Sequence, residues 1–483
     1  MMRQASKVAC LAVFSVVAAL ALMAGRLVWA QTATDPGVRG GAAGAGGFQT
    51  TLTSDEQLSF TPIKNQFNQT FVVCGNAGCN PKGTVINTGL GPRFSSNSCA
   101  NCHAQPAPGG SSPKSNPLFS VSNANGATNT MPTFETTTGP VLVPRFPYQL
   151  NKLSVTDGTV HPLFTVAGRT DGGSCAMAQP NFTQAISDDD IVYRQPLPVF
   201  GDGYIEIVED TSILNNLNSN LALKQSLGIG GVAQITDDGS ISRLGWKAQW
   251  RAILPAVGAE ENVEMGVTND MFPTETDQSL SNCLLNPVPE DTENYAYWCT
   301  AGVTQGPCPA TLPPTNQPWE FVMDADRNAI FIRFLAAPTP SSSCPAGGNC
   351  TNGQTQFNSV GCVLCHTTSY TTPAGSIPSM GHVTINLYSD LLLHHMGNCL
   401  ADNITQGAAQ GDMFRTPPLW NVGQRVNFMH DGRTNNIVTA IEDHQTGSCS
   451  GSYPPSEAEA VITQFNKLSS QNQQDLIDFL RSL

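Results

Sequence analysis

Two short motifs carry the chemistry that is easiest to read in this chain. Cys99-Ala100-Asn101-Cys102-His103 and Cys362-Val363-Leu364-Cys365-His366 share one spacing, two thiols three positions apart with an imidazole directly after. Thiols at that spacing reach both vinyl groups of one porphyrin, and the adjacent imidazole turns inward to ligate its iron. With 15 Cys and 8 His among 483 residues, about 0.008 such motifs arise by chance. Zinc would want a second Cys or His pair at suitable spacing after each motif, and neither has one. A thioredoxin-like redox pair would want a strand-to-helix context, which is absent around both. Two covalently bound haem c groups are therefore expected, held by Cys99, Cys102, Cys362 and Cys365, with His103 and His366 on iron. Gly91 and Phe94 introduce the first motif, and Phe357 and Gly361 the second.

The rest of the chain indicates where such sites are built. Arg3 and Lys7 precede an apolar run from Val8 to Gly25, and Val28-Trp29-Ala30 ends in small residues. This is the pattern of a secretory signal over residues 1–30. The run is just long enough to span a bilayer, so an uncleaved anchor is the alternative; Arg26 and the Val-x-Ala ending favour cleavage. No stable membrane insertion is then expected, and the place of work is the periplasm, the medium or the cell surface. The 23 Lys+Arg and 37 Asp+Glu become 20 and 37 once Arg3, Lys7 and Arg26 leave. A surface so acidic argues against nucleic acid and anionic membranes as partners. It suits a basic electron-transfer partner, although solubility alone explains it equally well. Only 12% of residues are charged, and Asn, Gln, Ser, Thr and Gly fill the surface instead, as in a loop-rich exported protein.

Cys10 leaves with the signal and four cysteines sit in the two motifs, so ten of the 15 remain. An even remainder in an exported chain is what disulfides predict. Cys74/Cys79 and Cys344/Cys350 are the easiest pairs to imagine bridged. The partners of Cys175, Cys283, Cys299, Cys308, Cys399 and Cys449 stay open. Residues 31–50 read as a Gly/Ala-rich linker, and a helix is expected from about Ser54, read as its N-cap. From about 104 to 240 the chain is rich in turn residues, with alternating stretches such as Gln149–Phe164, so short strands are expected. Helical character returns near Trp246–Gly258, and residues 303–354 form another loop-rich zone with a domain boundary placed around 340. At the end, Leu476, Phe479, Leu480 and Leu483 follow helical spacing behind a Ser cap. The expected fold is mainly α: two cytochrome c domains, the first (51–340) with a loop-rich, β-containing insertion, the second over 341–483.

With these pieces assembled, the chain resembles the bacterial di-haem cytochrome c peroxidase superfamily, and most closely its branch called di-haem oxidoreductases, sometimes labelled thiol oxidoreductase-like. The resemblance rests on GLGPRFSSNSCANCH (89–103), GWKAQW (245–250), VEMGVTN (263–269), FNSVGCVLCH (357–366), YSDLLLHHMG (388–397) and FRTPPLWNVGQRVNFMHDGR (414–433).

The resemblance implies several roles. In the superfamily's peroxidases a His-Asp-Gly turn is followed, fourteen residues after its His, by the second axial ligand of the C-terminal haem, a methionine. Here His430-Asp431-Gly432 is followed at that distance by His444, so His366 and His444 would be the two axial ligands of the second haem. Imidazole in place of a thioether favours ferric iron and lowers the potential. VEMG matches the stretch holding a distal glutamate, so Glu264 would stand above the first haem and do acid–base work on peroxide. Trp246 matches the tryptophan lying between the two haems. His161, the first histidine after His103, is read as structural, which leaves the first iron an open or water-filled sixth position. His394 and His395 fall where relatives carry His beside Asp or Asn; His394 or Met396 could compete with His444. His430 is expected to anchor its turn by hydrogen bonds, and His382 to be structural. The superfamily's inter-domain calcium uses a Thr-x-Pro where this chain has Arg425 and Asn427, which makes calcium doubtful.

The expected function is that of an exported di-haem oxidoreductase of peroxidase type. It would reduce hydrogen peroxide at the N-terminal haem, with electrons relayed by the C-terminal haem through Trp246 from a small cytochrome, a cupredoxin or another reductant. The alternatives are a di-haem oxygenase of the rubber-cleaving type and a non-catalytic electron-transfer cytochrome. The oxygenase would replace the acid–base apparatus with an apolar channel; the electron carrier would need both irons six-coordinate. A protein-modifying reading would rest on surface radicals formed through the second haem. Thiol oxidation ranks low, because no cysteine stands out as low in pKa or unpaired.

Overall fold

The computed structural model describes residues 33–73, 88–91, 93–124, 127, 129–165, 178–274, 291, 323–345, 347–375 and 377–483. The signal over 1–30 with Cys10, and Cys74, Cys79, Cys175, Cys283, Cys299 and Cys308, lie outside the described residues. The fold is mainly α, and every sheet among the described residues has two strands. Within the described residues no helix is long and apolar enough to cross a membrane.

A pair of packed helices stands beside each cysteine motif. The first pair is α1 (Ser54–Phe67) and, much later in the chain, α4 (Asp324–Phe334). The N-cap of α1 is Thr53, not Ser54: its hydroxyl accepts from Glu56 N while the Glu56 carboxylate accepts from Thr53 N, a reciprocal capping box. Phe331 on α4 seals the pair, its ring 5.4 Å from Phe60 and 4.6 Å from Phe67. Helix α4 lies inside the zone read as loop. The Asp291 carboxylate caps it, accepting from Asp324 N and Ala325 N, and a cap supplied from so far away leaves no local start signal.

Four further helices complete the frame. The motif helix α2 (Cys99–Cys102) precedes α3 (Ile253–Met265). The latter begins later than the Trp246 reading, because Gly245 and Ala248 turn the chain through positive φ (83° and 50°). It ends at Gly266 in the left-handed region, against which Gly91 packs so tightly that a Cβ would lie 2.1 Å from the Gly266 carbonyl oxygen. In the second half, α5 (Cys350–Val360) crosses α6 (Ser470–Ser482). A Cβ on Gly353 would lie 1.9 Å from the Asp475 carbonyl oxygen, so only glycine allows this approach. Ser469 caps α6 as read, and Leu476, Phe479, Leu480 and Leu483 are buried. Cys344–Cys350 is bridged as expected, and Cys399 pairs with Cys449.

Short strands supply the walls. β1 (Arg93–Phe94) pairs with β5 (Phe164–Thr165), and β2 (Val143–Arg145) with β6 (Val192–Arg194); β3 (Tyr148–Gln149) and β4 (Lys152–Thr156) form a hairpin. β7 (Leu393–His395) pairs antiparallel with β8 (Met413–Arg415), His394 opposite Phe414.

One large apolar core joins Leu52, Phe60, Phe200 and Phe331 to Tyr370, Met380, Ile385, Leu391, Leu392 and Trp420, across the expected boundary near 340. The described part of the expected linker is docked rather than free. Gln49 N donates to Phe334 O and Arg39 N to Gly423 O, and Asp35 grips Arg481 on α6 through both oxygens at 2.7 and 2.6 Å.

Candidate functional site

The two motifs open onto two separate, mostly apolar cavities of about 220 and 200 Å³. Cys99, Cys102 and His103 line the first, Cys362, Cys365 and His366 the second. These four are the free cysteines among the described residues. Burial raises the thiols of Cys99 and Cys102 and pushes that of Cys362 up to about 12.

In the first cavity the His103 ring is fixed by its Nδ1, 3.1 Å from the Gly110 carbonyl oxygen, with the Phe67 ring 6.3 Å away. Burial lowers its pKa, which keeps the imidazole neutral and able to act as a ligand. Helix α3 delivers Glu260, Glu261 and Glu264 to the same cavity. Glu260 and Glu264 share a face, one turn apart. Both oxygens of Glu264 are buried without a hydrogen-bond partner. Burial first, then the charge of Glu260, pushes its carboxyl up to about 8, against a partial pull from Arg145 and the nearby Ser95 hydroxyl. Glu261 accepts from Asn328 Nδ2 at 2.8 Å and is also raised, by burial and by Asp291. Among the described residues lining this cavity, His103 is the single histidine. His161 lies elsewhere, stacked on Phe146 at 3.8 Å and 3.2 Å from Asp157, in keeping with a structural role.

The second cavity brings His366 and His444 to one space, as the resemblance implied. Each ring points Nδ1 at a backbone carbonyl, His366 at Tyr388 (2.9 Å) and His444 at Ala440 (2.7 Å). Nδ1 then carries the proton and Nε2 keeps its lone pair, the arrangement a metal-bound imidazole needs. Burial pushes His366 down to about 4 and lowers His444 as well.

His394 lines this cavity but has no lone pair to offer. Its Nδ1 lies 2.7 Å from Glu457 Oε2 and its Nε2 2.9 Å from Asp390 Oδ2, so both nitrogens donate and the ring is an imidazolium. Burial opposes that charge, and the groups around the ring, Asp390 among them, outweigh it and hold the imidazole well above its ordinary value. Cys365, Asp390 and His394 come within metal-binding reach of one another. With both ring nitrogens committed to carboxylates, the trio is an ion-pair cluster. That leaves Met396, also on the cavity wall, as the rival to His444. His395 is held by Asp412. His430 is hydrogen-bonded into its turn through its backbone rather than its ring. Among the described residues its ring makes no hydrogen bond and stacks on Phe414 at 4.2 Å, while its carbonyl accepts from Gln195 N and fixes the turn.

Trp246 and Arg415 line both cavities. The Trp246 indole donates to the Gln195 carbonyl at 2.8 Å, meets the His430 ring edge-on at 6.3 Å and carries the Arg425 guanidinium 5.7 Å from its centre. Lys247 turns the other way, held by Asp402 at 2.8 Å.

Buried donors without partners test whether haem fits these spaces. Arg145 Nε at the first cavity, Arg425 Nε and Nη2 at the second, and Arg415 Nη1 between them are orphaned. Burial pushes these three guanidinia down only to about 10, so they stay charged. Leaving such N–H groups unmade is costly, and the propionates of a haem are the anions that would satisfy them. A fixed guanidinium at Arg425 also repels a divalent cation, which weighs against calcium there. Sequence reading passed over Arg145 and Arg415 and took Glu260 only as an acidic neighbour of Glu264. For Arg415 a signal existed: an arginine inside the apolar run Met413–Trp420.

Two mirrored cavities, each with a thiol pair and a neutral imidazole on its wall and charged donors awaiting an anion, define a di-haem protein. The chain belongs to the di-haem oxidoreductase family: the family model described as "Di-haem oxidoreductase, putative peroxidase" matches residues 145–483. Haem is accordingly its cofactor and oxidoreductase its class. The match includes Trp246, Glu264, the second motif and His444, and begins after the first motif. No curated protein matches the chain. A crystal structure titled as that of a MauG-like protein associated with microbial copper homeostasis covers 59% of this chain and 89% of its own, at 15% identity and a TM-score of 0.28. So loose a superposition adds nothing further.

Proposed function

We propose that this chain is an exported peroxidase that carries two haems on Cys99/Cys102 and Cys362/Cys365 and reduces hydrogen peroxide in the first cavity. In this reading each cavity belongs to one cytochrome c domain, with His103 holding the first iron and His366 and His444 the second. Bound haem supplies the iron that receives the oxidant and the two electrons that, with two protons, turn peroxide into two waters. The chain's own part is proton handling and insulation. Glu264 enters protonated at neutral pH and can donate to the leaving oxygen. Glu260, one turn earlier on the same cavity wall and itself raised by burial, is placed to exchange a proton with it. Trp246 is the shared wall through which electrons from a small donor protein would pass between the cavities.

The observation that carries the reading is Glu264 itself: a protonated, unpartnered acid facing the first cavity. Neither an electron carrier nor an oxygenase with an apolar channel has use for one. The test is Glu264→Gln in haem-loaded protein. Peroxide turnover should fall about 100-fold or more, with haem content and ferric spectra unchanged. Unaltered turnover at full haem content would remove the peroxidase reading.

A further inference from the structure

The segment that follows His444 is pinned to the segment that carries Met396, and the pin is a disulfide. Cys399 stands three residues after Met396 and Cys449 five after His444; the two are bonded at the protein surface. The loop closes tightly on the bridge. Cys449 N donates to Cys399 Sγ at 3.2 Å, and Gly447, at φ +65°, passes so near that a Cβ would lie 2.6 Å from that sulfur. Arg433, next to the His430 turn, donates to the Cys399 carbonyl at 2.8 Å. Behind the bridge the loop returns to its start, Ser456 Oγ donating to the His444 carbonyl. Glu457 then takes the His394 imidazolium and the N–H groups of Gly230 and Gly231.

His444 and Met396 both line the second cavity, and each is a competent iron ligand, one through nitrogen and one through a thioether. Their presence alone does not select between them. What distinguishes them is tethering: His444 is fixed through Ala440 on one side and the bridged loop on the other. Met396 is held back by its N–H to the Asp412 carbonyl at 2.9 Å and by the bridge three residues on.

We propose that the Cys399–Cys449 disulfide is a positioning pair for the second haem, selecting His444 over Met396 as the ligand opposite His366. The inference rests on the reading of His366 and His444 as axial ligands. Opening the bridge frees both tethers at once. A dithiol gives up two electrons and two protons, the S–S bond breaks, Cys399 and Cys449 become thiols, and the dithiol closes on itself as a cyclic disulfide.

The test uses the haem-loaded protein in its ferric state, read by EPR, by long-wavelength absorption and by the midpoint potential of the second haem. Dithiothreitol opens the bridge, iodoacetamide caps the thiols, mass spectrometry confirms capping at both positions, and the haems are reoxidised. The expected result is loss of the low-spin signal of two histidines, appearance of a methionine-to-iron charge-transfer band and a rise in potential. The double variant Cys399→Ser/Cys449→Ser should show the same spectrum without reductant. Met396→Leu in that background should abolish the band, and Cys344→Ser/Cys350→Ser should leave the two-histidine signal in place. An opened bridge with an unchanged two-histidine signal overturns the positioning role alone. Absence of that signal before treatment overturns the ligand reading, and the positioning role with it.

Discussion

Glu264 is a carboxylic acid kept neutral by its surroundings, and its pH behaviour follows from that. Its folded pKa, about 8, is raised above the ordinary 4.5. The folded chain therefore holds a proton that the unfolded chain releases between these values, so this group's contribution to stability declines as pH rises through the window. The donor form is lost over the upper part of the same window. Peroxide turnover should therefore fall on an alkaline limb near pH 8, read from a pH–rate profile, and the limb should be missing from the residual activity of Glu264→Gln. The residue-level chemistry was legible where it is local, in the cysteine spacing; His444 and Glu264 were reached only through the resemblance, as expectations. The engagement of His394 was not legible, because the carboxylates that claim its ring are Asp390, close by, and Glu457, sixty-three residues away.

Helix ends and crossings give sharper tests of the frame. Thr53 rather than Ser54 makes the capping box, so Thr53→Ala should cost about 1 kcal/mol in chemical denaturation and Ser54→Ala almost nothing. Gly353→Ala forces a methyl group into the Asp475 carbonyl where α5 and α6 cross; about 1–3 kcal/mol of overpacking cost is expected, read as a lowered denaturation midpoint. The sequence showed α6 plainly, since its apolar residues and its Ser469 cap lie in one stretch. It hid α4, whose cap is Asp291 and whose neighbours are Pro-rich. It misplaced the start of α3, because a positive φ at Ala248 is a tertiary demand that no propensity announces.

At the scale of the whole molecule, the two cavities share a wall and the two halves share a core. Trp246→Phe should slow electron equilibration between the haems, measured by flash photolysis or stopped flow, while haem content stays full. The Asp35–Arg481 pair closes the chain's early segment onto its last helix. Burial alone would raise Asp35, but Arg481 and the N–H groups of Ile437 and Gly37 outweigh it and hold the carboxyl below 3.8. Its contribution is present above that value and lost as pH falls through the lowered pKa. Asp35→Asn leaves Arg481 buried without its counter-charge. At neutral pH, limited proteolysis should then cut within residues 33–50, which resist it in the parent. Neither the shared core nor this strap could be read from the sequence, since both join positions hundreds of residues apart.

That shared core has a consequence for how the molecule is made. A chain synthesised from its N-terminus presents Cys99 and Cys102 long before Tyr370, Leu392 and Trp420 exist to complete the core beside the first cavity. The first site must therefore wait half-built, with the space beside its thiols still open to whatever brings the porphyrin. Closure of that core comes only when the second half arrives, whereas the core around the second cavity is drawn almost wholly from residues 357–483.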